Sequence, residues 1–252
     1  MASNEKNNSA SRARWILVNA LHQGDSVKTL DAWYNVLIDR DEEPRSFEVI
    51  RLVEALRKEI ENAERQLERQ GVPDSLYKKH FQDAYKVTDP TNLTTGWGKY
   101  KKFIKPELLV CFSFAAYLIE ENEPTLPDEE LEQVEKLLAE LKTQLVELEI
   151  DSSLLHFVQE QVALLERGLQ DLNIRGAKAL QKCYVDGIGE IFENEKIIIE
   201  NSESPIISKL KEVWTTFQGT TNKAATINKS IDTWSKVVEK GTVLIDGITK
   251  LL

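Results

Sequence analysis

The sequence has few cysteines and few histidines, and neither set has the spacing of a chemical site. Cys111 and Cys183 are far apart and form no CxxC pair. This cysteine usage fits a reducing compartment better than a secreted disulfide framework, and we expect both thiols to be buried in helices. The histidines, His22, His80 and His156, are widely separated. Because a zinc site needs three or four protein ligands, we expect no metal site.

Long apolar runs are also lacking. The longest uncharged run, residues 108–119, is well below the roughly 20 residues that a membrane-spanning helix needs. The polar N-terminus shows no signal-peptide pattern. The 42 acidic residues outnumber the 32 basic ones, and the net charge of −10 disfavours a whole-surface affinity for nucleic acid. We expect a cytoplasmic protein.

Short catalytic motifs are absent as well. The phosphate-binding patterns GxxxxGK[ST] and GxGxxG do not occur, and neither does the nucleophile motif GxSxG. The run Gly187-Ile188-Gly189 has no flanking strands and indicates a close helix contact instead. His156 and Glu160 share a helical face, which is typical of a solvated surface pair. We predict no catalytic residue, cofactor or metal, although helical active sites often lack short signatures.

The sequence is rich in apolar residues at helical spacing. The alternation of apolar and polar residues that is typical of strands is nearly absent. In the predicted helix 46–70 the apolar positions recur every three or four residues. The predicted helices are 12–22, 26–39, 46–70, 75–86, 106–121, 128–148, 152–172, a looser one at 177–193, one from Pro205, and a last one at 223–252 after a turn at 218–222. The pattern predicts an all-α protein.

Two of these helices predict a long antiparallel hairpin over about 128–172. The second has apolar residues at steps of three and four, namely Leu155, Val158, Val162, Leu165, Leu169 and Leu172. Such a stripe favours side-by-side packing of long helices, and a connection of about three residues makes neighbours antiparallel. The helix at 106–121 is apolar nearly all round, which predicts burial in the centre of a multi-helix bundle.

The predicted organisation has three parts. Residues 1–12 form a disordered N-terminal tail, 13–121 an N-terminal helical region and 127–252 a C-terminal helical region. The pattern leaves open whether the two helical regions form one continuous domain.

The stretch from the hairpin to Leu180 resembles a pattern of uncharacterised bacterial helical proteins. In that pattern, two leucine-rich helices precede a segment of the type Y-x-I-R-G-x-x-x-L. Here Ile174, Arg175 and Gly176 match its centre, whereas the tyrosine position is not matched. The resemblance covers residues about 126–180. It implies a bacterial origin and carries over no functional residue.

A first candidate binding segment is 87–105, which is long for a connection without clear helical period. Aromatic residues and lysines alternate in it, and the candidate residues are Trp97, Lys99, Tyr100, Lys101, Lys102 and Phe103. Aromatic rings stack on bases while lysines neutralise phosphates. The alternative, that the aromatic residues anchor the segment to the bundle, is favoured by the overall acidity.

A second candidate is the C-terminal amphipathic helix at 223–252. Its apolar stripe comprises Ile227, Ile231, Trp234, Val238, Ile245 and Ile248. Such a helix lies in a membrane interface, docks into a partner groove or packs on its own bundle. Packing on its own bundle is the interpretation that we favour.

Together these observations predict a non-enzymatic protein–protein interaction module: an adaptor, a regulator or an immunity-type component. Its partner is another protein or a second copy of the chain. The first alternative is association with a membrane surface through the C-terminal helix. The second, disfavoured by the net charge, is binding of nucleic acid through residues 87–105.

Overall fold

The structure, a computed structural model, describes residues 7–38, 46–123, 126 and 128–227, with side chains up to residue 221. These residues form eleven α-helices and no strand, so the predicted all-α, multi-helix fold is confirmed. The helices are α1 (Ser9–Leu21), α2 (Thr29–Leu37), α3 (Ser46–Arg69), α4 (Lys78–Val87), α5 (Gly98–Lys101), α6 (Pro106–Leu118), α7 (Asp128–Glu147), α8 (Ser152–Arg175), α9 (Ala177–Glu193), α10 (Glu195–Glu200) and α11 (Pro205–Ile227).

Helix α1 begins earlier than its apolar pattern predicts, because Asn8 caps it. The Asn8 side chain accepts a hydrogen bond from the Ser11 N–H at 3.1 Å. In return, the Ser11 hydroxyl oxygen accepts one from the Asn8 N–H at 2.9 Å. This reciprocal pair satisfies two backbone donors at the helix end, so residues 9–12, which the sequence assigns to the tail, are helical.

Helix α11 continues through the turn that the sequence predicts at 218–222 and reaches Ile227. The hydroxyl groups of Thr220 and Thr221 donate to the carbonyls of Thr216 and Phe217 one turn earlier, at 3.2 and 2.8 Å. Threonine hydroxyls satisfied in this way remain compatible with a continuous helix, which explains why a polar stretch did not end it.

The chain divides into two compact units. The first comprises residues 1–123 and 170–176, and the second comprises 124–169 and 177–252. Residues 170–176, which the sequence-based division assigns to the C-terminal region, thus belong to the first unit. Residues 170–175 of helix α8 belong to the first unit, and the rest of α8 belongs to the second.

In the first unit, α1 packs against α3 and α6, while α3 also contacts α2 and α4. The predicted apolar stripe of α3 is buried at every position: Val49, Val53, Leu56, Ile60, Ala63 and Leu67. The Phe81 ring of α4 stacks on the Phe112 ring of α6, with centroids 4.8 Å apart. The three- and four-residue spacing therefore predicted the inward face of α3 correctly.

In the second unit, α11 packs against α7 and α9. The apolar residues that recur along α11 at steps of three and four are all buried, namely Ile207, Leu210, Trp214 and Phe217. Helices α7 and α8 lie where the sequence predicts the hairpin and are separated by residues 148–151. Lys142 Nζ of α7 lies 2.7 Å from Glu166 Oε1 of α8. Helix α7 also packs against α11, which follows much later in the chain.

The buried face of α8 is rotated from the predicted stripe. Leu155, Leu169 and Leu172 are only partly buried, whereas Leu154, Phe157, Val158, Gln161, Val162, Leu165 and Gly168 are buried. Gln161 is the polar residue of this buried set, and both ends of its side-chain amide are hydrogen-bonded. Its Oε1 accepts from the Trp214 indole N–H at 3.0 Å, and its Nε2 donates to Glu190 at 2.7 Å. A paired polar group can occupy a core position, which an apolar spacing alone does not indicate.

Of the two glycines at 187 and 189, only Gly187 makes the close helix contact that the sequence indicates. A Cβ atom at Gly187 would lie 2.1 Å from the Trp214 ring, whereas one at Gly189 would meet nothing within 4 Å. Trp214 therefore packs against the bare backbone of α9.

This difference predicts opposite effects for two alanine substitutions in one helix. Gly187→Ala should lower the free energy of unfolding by about 1–3 kcal/mol, because the added methyl group overpacks the Trp214 contact. Gly189→Ala, the matched control, should raise it by up to about 1 kcal/mol through helix propensity. Urea unfolding followed by circular dichroism measures both. Equal effects of the two substitutions would contradict the packing argument.

Candidate protein-interaction surface

Residues 87–105 are more ordered than their irregular pattern predicts. They include the 3₁₀ helix Pro90–Asn92 and helix α5. Backbone hydrogen bonds hold the segment to residues 25–29, with Trp97 N–H donating to Val27 at 2.9 Å and Thr29 N–H donating to Thr95 at 2.8 Å. The segment is therefore part of the first unit's packed structure.

Trp97, the largest of the candidate residues here, is completely buried. Its indole N–H donates to the Ala20 carbonyl at 3.1 Å, and its ring meets Trp33 edge to face, with centroids 5.3 Å apart. Because both faces of a completely buried ring are covered, this side chain anchors the segment, as the structural alternative in the sequence analysis supposes.

The other candidate residues of this segment lie nearer the surface. Tyr100 and Phe103 are half-buried and pack on the core, while Lys99 and Lys102 are exposed. Lys101 Nζ lies 2.8 Å from both the Gln23 carbonyl and Asp25 Oδ1. Lys101 thus closes the 22–28 turn, and only Lys99 and Lys102 present well-exposed side chains.

The second candidate set lies outside the described residues. Ile231, Trp234, Val238, Ile245 and Ile248 belong to residues 228–252, and the side chain of Ile227 is likewise outside them. Their predicted role as a partner or membrane helix stays a prediction.

The prediction that the helix at 106–121 is buried all round is wrong for one face of α6. Val110, Phe114 and Tyr117 are 67%, 46% and 77% exposed. They are spaced at i, i+4 and i+7, so they form one stripe along the helix. The opposite face of α6, including Leu108 and Phe112, is buried in the first unit. The apolar sequence of α6 therefore does not show that the helix has two different faces. One face packs against the core, and the other is exposed to solvent.

An open groove of about 500 Å³ runs beside this exposed stripe. Leu76 and His80 line it on one side, and the residues of α6 that line it are Pro106, Glu107, Val110, Cys111 and Phe114. Leu76 is itself 55% exposed. We call Leu76, Val110, Phe114 and Tyr117 together with this groove the α6 surface. Helix α4 packs against α6 through the stacked Phe81 and Phe112 rings, which fixes the groove's two sides relative to each other.

The groove's own chemistry favours binding of apolar groups. Burial raises the pKa of the Cys111 thiol to about 11, so this thiol stays protonated at neutral pH and is a poor nucleophile. Only His80 and Glu107 add titratable groups to the lining. Apolar side chains with a few polar groups at the edge are typical of a recognition groove.

The described residues contain no cluster of three or more His, Cys, Asp or Glu side chains able to hold a metal ion. His156 Nε2 lies 3.5 Å from Glu160 Oε1, and both side chains are exposed, as expected for a surface pair. None of the helices searched in the described chain has the length and apolarity required to cross a membrane.

Comparisons with known protein families, with curated proteins and with solved structures found no match. The sequence does not indicate the residues of the α6 surface, because a helix that is apolar on all sides predicts burial on all sides. One feature of the sequence could have indicated the surface. A helix on the outside of a bundle normally has a polar face, and α6 has none, so an α6 on the outside exposes apolar side chains.

Proposed function

We propose that this protein is a non-enzymatic protein–protein interaction module, of the adaptor, regulator or immunity type, whose α6 surface receives a helix of a partner protein. The observation that carries the proposal is the exposed stripe Val110, Phe114 and Tyr117 beside an open apolar groove. Contiguous exposed apolar surface of this kind marks interaction sites in proteins.

The spacing of the stripe supports a helix as the occupant. Side chains at i, i+4 and i+7 form a ridge with a groove beside it, and a second helix packs its own ridge into such a groove. Partner helices of this mode present anchors at the same spacing. A helix lying along α6 would thus cover Val110 and Phe114 with one apolar face.

The apolar area is large enough to matter for affinity. Complete burial of a Val, Leu or Phe side chain contributes about 1.5–3 kcal/mol. Because Leu76, Val110 and Phe114 are each close to half exposed or more, covering them supplies roughly 4 kcal/mol before the costs of association. Substituting one of these residues with a charge should therefore weaken the complex strongly.

The test is affinity purification of the tagged full-length protein from its native host, with matched variants. Phe114→Asp should lose a stoichiometric partner, since it removes the ring and places a desolvated carboxylate in the apolar contact. Val146→Asp is the control, because Val146 is 88% exposed and lies in the second unit. It should retain the partner.

Circular dichroism and thermal melting of both variants check that each remains folded. A partner that still binds Phe114→Asp as well as wild type would contradict the proposal. So would a wild-type protein that is monomeric by light scattering and recovers no stoichiometric partner.

A further inference from the structure

We infer that the helix received by the α6 surface carries acidic side chains beside its apolar stripe. This inference rests on the proposed function and names the chemistry of the partner. It follows from the charge distribution around the groove, which differs in sign from that of the whole chain.

The stretch of chain that builds the groove is basic. Residues 78–107 contain three acidic residues, Asp83, Asp89 and Glu107, against seven lysines at positions 78, 79, 86, 99, 101, 102 and 105. The difference is +4, in a chain whose formal net charge is −10. The rest of the chain therefore carries −14, and two of its carboxylates pair with this stretch, Asp74 with Lys78 and Asp25 with Lys101. Once these two pairs are counted, the stretch keeps an excess of two positive charges in an acidic protein.

Two of these lysines are next in sequence to residues that line the groove. Lys79 precedes the lining residue His80, and Lys105 precedes the lining residue Pro106. Both lysines are exposed. They lie on the two elements that border the groove, Lys79 in α4 and Lys105 directly before α6.

The carboxylates nearby leave part of this charge uncompensated. Asp83 is shared by two lysines, with Lys86 Nζ at 2.8 Å and Lys105 Nζ at 3.5 Å. Burial acts to raise the pKa of Asp83, but the two ammonium groups outweigh it and the pKa is lowered, so one full negative charge faces two positive ones. Lys79 makes no ion pair within the part of the chain that the structure describes.

Lys86 and Lys102 lie around the ring of Phe103, which is two residues before Lys105 in the sequence. Lys86 Nζ lies 5.0 Å and Lys102 Nζ 5.5 Å from the centre of the Phe103 ring. These contacts hold the ammonium groups on the same side of the unit as Lys105, which shares Asp83 with Lys86. An acidic segment extending past the apolar anchors would meet this cluster.

A protein helix fits these observations better than a bilayer or a nucleic acid. The lining of the groove reaches down to Cys111, which is almost completely buried, and a flat bilayer surface contacts the exposed edges of a groove but not its floor. Phosphates pair with lysines but gain nothing from Leu76 and Val110. An amphipathic helix satisfies both the apolar floor and the lysines at the edge.

The experiment is a selection from a displayed library of 18-residue amphipathic helical peptides. The apolar stripe varies among aliphatic and aromatic residues, and the flanking positions vary among Glu, Gln and Lys. Full-length wild type is the target, and Phe114→Asp removes peptides that bind elsewhere. We expect Glu to be enriched over Lys at the flanks. Re-synthesised with Glu, the best peptide should bind about tenfold more tightly than with Lys at low salt, by fluorescence anisotropy.

The matched variants are two double substitutions that change the net charge equally. Lys79→Glu/Lys105→Glu should reverse the preference toward Lys-flanked peptides. The control, Lys28→Glu/Lys211→Glu, replaces two exposed lysines outside the groove and should keep the preference for Glu. The difference should shrink at high salt, because exposed charges are screened.

The other outcomes separate the inference from the proposed function. Equal selection of Glu and Lys flanks, with binding lost in Phe114→Asp, overturns the acidic partner but leaves the helix-binding surface in place. No enrichment over Phe114→Asp overturns both. Flotation with vesicles of 30% phosphatidylserine in phosphatidylcholine, or a low-salt gel shift with RNA, overturns the inference in favour of that ligand if the binding depends on Phe114 and Lys79.

Discussion

Replacing Arg12 by methionine should lower the free energy of unfolding by about 3–5 kcal/mol, the cost of removing one partner from a buried ion pair. Arg12 lies in α1 and is buried. The expected loss is a large part of the 5–15 kcal/mol that typically separates folded from unfolded states. Urea unfolding followed by circular dichroism measures it.

The size of the effect follows from the use of all five N–H donors of the guanidinium. Nη1 and Nη2 contact the two carboxylate oxygens of Glu123 at 3.1 and 3.2 Å, and Nη2 contacts Glu59 at 3.0 Å. Nη1 also donates to Asn7 Oδ1 at 3.2 Å, and Nε donates to the Ile174 carbonyl at 2.9 Å. Methionine fills similar space but leaves two buried carboxylates without this cation.

The control for this substitution is Arg69→Met, which removes an exposed arginine from the same unit. It should change the free energy of unfolding by less than about 0.5 kcal/mol, as most surface substitutions do. Adding Glu123→Gln to Arg12→Met should recover part of the loss, because it removes one of the two buried negative charges. An Arg12→Met protein within about 1 kcal/mol of wild type would show that the network contributes little.

The contacts of Arg12 are a part of the structure that the sequence pattern does not predict. Positions 12, 59, 123 and 174 are joined only by the tertiary fold, so no spacing rule indicates that they meet. Gly176 is related to the same cluster: its φ is +66°, and a Cβ there would lie 2.1 Å from Glu123 Oε2 and 2.6 Å from Arg12 Nη1. The Ile-Arg-Gly segment noted in the sequence thus has a structural reason for its glycine.

The elements that were predicted correctly are those with one face buried by several neighbours. Helix α3 is an example, since its apolar stripe is narrow and its other faces are charged. Helix α6 was misjudged because apolar residues surround it, and such a pattern contains no information on which face meets the core. The α6 surface therefore became visible only from the fractional exposure of Val110 and Phe114.

The segment 87–105 illustrates a second limit. Its composition allows either base stacking or anchoring, and the choice depends on whether each ring is covered by residues distant in sequence. Trp97 is covered by Trp33 and by the end of α1. The composition of the segment predicts that its aromatic residues have a role. Only the packing shows that the role of Trp97 is to anchor the segment to the core of the first unit.

Trp97→Ala should accordingly lower the free energy of unfolding by about 3–5 kcal/mol, the range for truncating a completely buried tryptophan. The substitution opens a cavity beside Trp33 and removes the hydrogen bond to the Ala20 carbonyl, so residues 25–29 and 95–98 lose their common anchor. Circular dichroism is the appropriate probe, because the substitution itself changes the tryptophan fluorescence.

Trp15→Ala is the matched control, since Trp15 lies in the same unit with more than half of its side chain exposed. It should cost clearly less than Trp97→Ala, because little packing is lost where solvent already covers the ring. Trp97→Phe should fall between the two, as it retains much of the buried ring but not the indole N–H. If Trp97→Ala were as stable as Trp15→Ala, the Trp97 ring would not be needed for the fold. That result would favour the interpretation that residues 87–105 bind a ligand.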